Sequence, residues 1–285
     1  MRVIFIPVAD RPECARALQV AFNLGQQLGA NLCGCHIRPH GRSKVSLSSA
    51  LGSFEDYDGS WENVWKGKKT QKSAAPARLL FAKIAERQHY ELIKKPRPTP
   101  GAVWQEKVGS PDKLLSIMGP ISDLIVVSRP PAKGGKIARL FMLAALLNSA
   151  RPVLVLPQSG VPVIGKRISI AWNQSAQAAQ AVAAAMPLLR LAEQVSIITC
   201  GAEREVGPKS TQLATYLRFW GVKAERIRTR GSDDARALVK AHKESRSDLL
   251  VMGAYSRSRL RQRIFGGVTE FMLYQANVPV LMLHT

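Results

Sequence analysis

The chain has 285 residues, long enough for two domains that each bury a core, and its 46% hydrophobic and 21% charged residues are a globular composition that excludes general disorder. No run approaches the roughly 18 to 20 apolar residues of a membrane helix, and Met1-Arg2 leads straight into Val3-Ile4-Phe5-Ile6 without a signal-peptide pattern, so a cytoplasmic protein with no membrane partner is expected. The net charge of +21 is spread over both halves, +12 in residues 1–160 and +9 in 161–285; it attracts any polyanion without selecting one.

In chain order, apolar runs predict strands near Val3 to Val8, Asn31 to Ile37, Val103 to Val108, Leu124 to Val127 and Val153 to Leu156. Helical spacing predicts helices near Pro12 to Leu28, Ala77 to Leu92, Asp112 to Met118 and Ile137 to Asn148 between them. The order then repeats. Strands are expected at Ile168 to Trp172, Val195 to Cys200, Val222 to Thr229, Leu249 to Met252 and Val280 to Leu283, with helices at Gln174 to Leu191, Lys209 to Trp220, Asp233 to Ser245 and Gly267 to Gln275. Gly221 is placed to end the second of these helices.

The repeat is legible residue by residue. Ser122-Asp123-Leu124-Ile125-Val126-Val127-Ser128 is answered by Ser247-Asp248-Leu249-Leu250-Val251-Met252-Gly253, and Arg151-Pro152-Val153-Leu154-Val155-Leu156 by Val278-Pro279-Val280-Leu281-Met282-Leu283. From Ser122 to Pro152 is 30 residues, and from Ser247 to Pro279 is 32, so two copies of one domain are the economical explanation. Alternation of strand and helix makes the fold class α/β: two repeated doubly wound domains, each a five-stranded parallel sheet of order 3-2-1-4-5 with helices on both faces. The domains are expected at 1–158 and 165–285, joined by the Pro- and Gly-containing linker Pro157 to Lys166. An insertion at about 40–75, which carries Trp61, Trp65 and the run Lys66 to Lys72, is expected to be a mobile arm open to trypsin. The apolar last strands predict a pseudo-dimer of the two halves through those edges; a homodimer of the chain is compatible with the same logic.

In such sheets a ligand sits beyond the carboxyl ends of the strands where the strand order reverses, which selects the loops after the first and fourth strands. In the second half these are Asn173-Gln174-Ser175 and Gly253 to Thr269. Gly253 is expected to free the backbone as it leaves its strand. Gly266-Gly267 opens the following helix, where unpaired N–H groups favour an anion such as phosphate. Arg257, Arg259, Arg261 and Arg263 lie in the same loop. In the first half the matching loop runs from Ser128 to Lys136; Pro130-Pro131 fixes the backbone and removes donors where phosphate would need them, and Ala144 or a neighbour stands for the helix-opening glycine, so the loop is expected to join strand to helix, with Lys133-Gly134-Gly135-Lys136 as an alternative anion-catching turn.

Gly253-Ala254-Tyr255-Ser256-Arg257-Ser258, Gly266 ten positions beyond Ser256, and Val278-Pro279-Val280-Leu281-Met282 resemble the signature of universal stress proteins, whose nucleotide-binding members carry Gly-x2-Gly-x9-Gly-Ser/Thr. With the repeated strands, the resemblance covers nearly the whole chain as a tandem pair apart from the insertion. Ser256 stands at the family's second glycine and Gly267 at its Ser or Thr; the acidic residue after the first strand is Asn173 in the second half and Asp10 in the first. The resemblance implies ATP or another adenine nucleotide as the ligand, held in the second half by Asn173, Gly253, Ser256, Arg257, Ser258, Gly266 and Gly267, with Thr269 a substitute hydroxyl if its helix turns it inward to the site. Two functions stay open: a non-enzymatic, nucleotide-responsive regulatory or protective protein, or a nucleotide-free scaffold acting through its basic surface. Charge allows nucleic acid as a partner, although no recognition-helix or zinc-finger pattern is present.

No nucleophile elbow, Gly-x-x-x-x-Gly-Lys-Ser/Thr loop or metal-ligand spacing is found, so no catalytic residue and no metal are expected. His36, His40, His89, His242 and His284 read as surface or terminal side chains. The four cysteines read as small buried ones, with Cys33 and Cys35 on one face of a strand.

Overall fold

The computed structural model describes residues 1–9, 12–38, 74–131, 135–160, 163–204, 206–229, 234–254 and 267–284; the expected arm at about 40–75 falls almost wholly outside them. The first half runs β1 (Val3–Pro7), α1 (Pro12–Leu28), β2 (Asn31–Arg38), α2 (Ala75–Arg87), β3 (Ala102–Val108), α3 (Pro111–Met118), β4 (Leu124–Ser128), α4 (Lys136–Asn148) and β5 (Val153–Leu156). The second runs β6 (Arg167–Ala171), α5 (Ala176–Leu189), β7 (Gln194–Cys200), α6 (Ser210–Phe219), β8 (Ala224–Thr229), α7 (Asp234–Glu244), β9 (Leu249–Gly253), α8 (Gly267–Tyr274) and β10 (Val280–Leu283). No helix among the described residues is long and apolar enough to cross a membrane.

The ten strands among the described residues form one sheet of order β3-β2-β1-β4-β5-β10-β9-β6-β7-β8, so each half has the order 3-2-1-4-5. Strands are parallel within a half, and the halves meet where β5 pairs antiparallel with β10, Leu154 opposite Leu281. Every residue of both joining strands is buried, as expected of apolar edges that would otherwise leave their backbone groups bare. The side chains alternate across the join. Leu154, Leu156, Leu281 and Leu283 enter the core under α1, α2, α5 and α6, and Val153, Val155, Val280 and Met282 enter the core under α3, α4, α7 and α8.

The repeated Ser-Asp pair is structural. The Asp123 carboxylate accepts from the backbone N–H groups of Arg2 and Val3, and Asp248 from those of Gly165, Lys166 and Arg167 at 2.7–3.1 Å. Each aspartate thus ties the entry of a half's first strand to the start of its fourth. In the second half the tie includes the linker, which also buries Ile164. Burial raises the Asp248 pKa and the three N–H bonds act against that rise.

Two boundaries differ from expectation for local reasons. The helix expected to reach Leu92 stops at Arg87, because His89 takes a left-handed φ of 54° and Tyr90 folds back, its hydroxyl donating to the Ala30 carbonyl at 3.0 Å; Leu92 then bridges to Ala102. The helix expected from Gln174 begins at Ala176, because Gln174 is left-handed at φ 64° and the Ser175 hydroxyl accepts from the Ala178 N–H at 3.1 Å as its N-cap.

Candidate functional site

In the second half β6 lies between β7 and β9, and the chain leaves β6 for α5 on one face and β9 for α8 on the other. The parting of those two connections makes the crevice at the carboxyl ends of the strands. Asn173 stands exposed at its rim. Its side-chain oxygen accepts from the Ser175 hydroxyl at 2.7 Å and from the Ser175 N–H at 3.3 Å, and Ser175 in turn caps α5, so Asn173 shapes the turn that starts that helix.

Gly253 acts differently from expectation. Its φ is not left-handed; instead a Cβ there would lie 2.5 Å from the Gln177 carbonyl carbon and 2.6 Å from the Ala178 nitrogen. The end of β9 and the first turn of α5 therefore touch backbone to backbone, and only glycine allows it. Gly267 begins α8 exposed, and a Cβ at that residue would meet nothing within 4 Å among the described residues. Thr269 is buried, at 5% exposure, on the same face of α8 as Met272 and Leu273. Ser256, Arg257, Ser258 and Gly266 lie outside the described residues, as do Arg259, Arg261, Arg263 and Asp10.

One wall of the crevice was not anticipated. The loop between β7 and α6 folds onto the β6–α5 turn. The buried Trp172 donates its indole N–H to the Pro208 carbonyl at 2.8 Å, and the buried Gln174 amide donates to the Gly207 carbonyl at 2.9 Å. Gly207 approaches so closely that its Cβ would sit 2.1 Å from the Gln174 carbonyl oxygen. The Gly207-Pro208 dipeptide was the available sequence signal, as a turn mark.

The first-half loop does more than join strand to helix. Ser128 donates to the Glu13 carbonyl at 2.9 Å, and the Arg129 side chain crosses into the other half. Its guanidinium, 5% exposed, donates to the carbonyls of Leu273 (2.9 Å), Met272 (2.7 Å) and Val278 (3.3 Å), closing the C-terminal end of α8. Burial lowers its pKa to about 10, which leaves it charged at neutral pH. Ala144 is no helix opening either: α4 starts at Lys136, and Ala144 sits fully buried inside it.

Nor is His242 a surface residue. It is 2% exposed on α7, its Nδ1 2.7 Å from the Ser169 hydroxyl of β6, and burial with the neighbouring Lys243 charge pushes its pKa down to about 4. Cys33 and Cys35 share one face of β2, and burial pushes their thiols up to about 11 and about 12, far from thiolate reactivity. Among the described residues no group of three or more His, Cys, Asp or Glu side chains could hold a metal ion.

A doubly wound half with Gly253 at its strand-order switch, joined through its last strand to a second half of the same strand order, defines a tandem α/β protein. Residues 169–284 match the model of the Universal stress protein family. Among solved structures, a universal stress protein from Archaeoglobus fulgidus DSM 4304 is similar over 99% of this chain and 97% of its own, at 15% identity and a TM-score of 0.69. A protein described as a putative universal stress protein from Pseudomonas aeruginosa UCBPP-PA14 is similar over 99% and 93%, at 15% identity and a TM-score of 0.59. At these identities the likeness is one of fold, and it spans both halves. No curated protein matches the sequence.

Proposed function

We infer that the protein is a non-enzymatic, adenine-nucleotide-responsive regulatory or protective protein of the cytoplasm, built of domains 1–158 and 165–285, with its competent site in the second. Asn173 and Gly253 would bound the site, the backbone of Ser256, Ser258, Gly266 and Gly267 would cradle the phosphates, and Arg257 and Arg259 would neutralise them. The observation that supports this reading is the exposed Gly267 at the start of α8, with no described residue within 4 Å of where a Cβ would stand, in the half that matches the family model. The first N–H groups of a helix lack intrahelical acceptors and, with the helix dipole, favour a phosphate without needing a basic side chain. The spacing of Gly253, Ser256 and Gly266 supports the same placement.

The test has two parts. Freshly purified protein, denatured and resolved by ion exchange, should release ATP, ADP or AMP. Titration calorimetry with ATP should then show binding by the wild type, equal or tighter binding by Ser256→Gly, and none by Gly266→Val, whose branched side chain would occupy the phosphate's place. Equal binding by wild type and Gly266→Val would move the site elsewhere. Binding by Ser256→Gly alone would mean that the natural protein has given up its nucleotide.

A further inference from the structure

The second half carries an aromatic surface that neither its core nor the candidate cleft uses. Tyr216, Phe219 and Trp220 are 41%, 86% and 45% exposed, and among the described residues they are the only aromatic side chains so exposed. They stand at i, i+3 and i+4 and so form one stripe at the C-terminal end of α6, flanking the buried Leu213 and Leu217. The repeat supplies an internal control. His89 and Gly221 are the left-handed residues that end α2 and α6, and the next N–H in each half, Tyr90 or Val222, donates to the corresponding Ala85 or Leu217 carbonyl. By that alignment Phe219 and Trp220 replace Arg87 and Gln88, and the exposed Tyr216 replaces the buried Ile84. The shared fold does not require the stripe.

Beside the stripe lies β8, the outermost strand of the sheet at this end. Ala224 packs under α6, so by strand alternation Arg226 and Arg228 share its face, and Glu225 points to the opposite one. Between residues 206 and 229 the basic residues are Lys209, Arg218, Lys223, Arg226 and Arg228, all exposed, against the acidic Glu225 alone. Arg226 and Arg228, two residues apart on a strand, are spaced by about 6.6 Å, and α6 runs alongside for about 15 Å.

We propose that the α6–β8 edge binds single-stranded nucleic acid, with Phe219 and Trp220 stacking on bases and Lys223, Arg226 and Arg228 tracking the phosphates. The charge alone would draw any polyanion; exposed flat rings beside it select a strand whose bases are free to stack. This surface is separate from the nucleotide cleft and does not rest on it.

The probe is a fluorescein-labelled (dT)12 read by anisotropy against the full chain. At low salt the single strand should bind several-fold tighter than a duplex of the same length, and the affinity should fall with a log–log salt slope of about −2, as expected for roughly three neutralised phosphates. Phe219→Ala with Trp220→Ala should weaken binding about tenfold to a hundredfold. Arg226→Gln should make the salt slope shallower by about 0.7, and Lys94→Gln with Lys95→Gln, exposed near the opposite edge of the sheet, should leave binding unchanged. These side chains are all exposed, and circular dichroism would confirm that each variant folds. Unchanged (dT)12 binding by the double aromatic variant overturns the proposal, as does equal affinity for the duplex. If phosphatidylglycerol vesicles bind through Phe219 and Trp220 while the oligonucleotide does not, the surface is a membrane contact and the proposal is wrong.

Discussion

Lowering the pH should unfold this protein partly through one buried imidazole. His242 is packed against Ser169, and it lines a cavity of about 300 Å³ together with Lys243, Asp248 and Arg16. In the folded chain its pKa is near 4, and in the unfolded chain it returns to about 6.5. Between those values the unfolded state holds a proton that the folded state does not, so stability rises with pH across the window. The contribution is fully present above about pH 6.5 and is lost as the pH falls toward 4. At about 1.4 kcal/mol per unit the window amounts to roughly 3 kcal/mol, with about 2 to 3 kcal/mol already lost at pH 4.5. Urea unfolding at pH 7.0 and 4.5 should be compared for the wild type and His242→Gln. Carboxylate protonation affects both alike, so the wild type should lose about 2 to 3 kcal/mol more than the variant between the two pH values. Parallel losses would refute the argument and place a charged or solvated histidine at this position.

Three further outcomes are expected. Arg129→Met should destabilise the chain by about 2 to 4 kcal/mol, because two carbonyls in the last turn of α8 and that of Val278 lose a charged donor, and Arg129→Lys should recover part of that; urea midpoints equal to wild type for both would deny the strut its role. Gly253→Ala should cost about 1 to 3 kcal/mol by pushing β9 off the first turn of α5, whereas Gly267→Ala, with open space around it, should be neutral or stabilising by up to about 1 kcal/mol while weakening any ATP binding seen by calorimetry. Asp248→Asn should lower the thermal midpoint more than Asp123→Asn, since it loosens three backbone donors and the linker rather than two donors at the chain's start.

The architecture was legible because a repeat constrains itself: the strands Leu124–Ser128 and Leu249–Gly253 had to occupy the same place in two copies, and the apolar runs Val153–Leu156 and Val280–Leu283 could be buried on both faces only by pairing or covering their edges. Local signals also placed Gly221 at the end of α6, where its φ is 75°. What stayed hidden depended on distance through space. Nothing in Ser-Arg-Pro-Pro says that the arginine will find carbonyls 143 to 149 residues away. His242 occupies a helical position whose inward face is fixed only when α7 docks on β6 and β7. Gly253 looked like a source of backbone freedom, and its true cause, the approach of a helix to within 2.5 Å of an absent Cβ, belongs to a neighbour on another element. The candidate cleft was legible as two loops and a spacing, but Gly207 and Gln174 were not, because their mutual hold needs the β7–α6 loop to fold back.

The antiparallel join also sets a timetable. β5 is complete at Leu156, but the strand that seals it begins at Val280, 124 residues later. At about 5 to 20 residues per second, a nascent first half waits roughly 6 to 25 s with a Val-Leu-Val-Leu edge unpaired. Such an edge is a template for another chain, so crowding of ribosomes on one message brings like edges together during that interval. The contact that makes two halves into one sheet is the last to be made, and a chain stalled short of Val280 offers that edge to its neighbours instead.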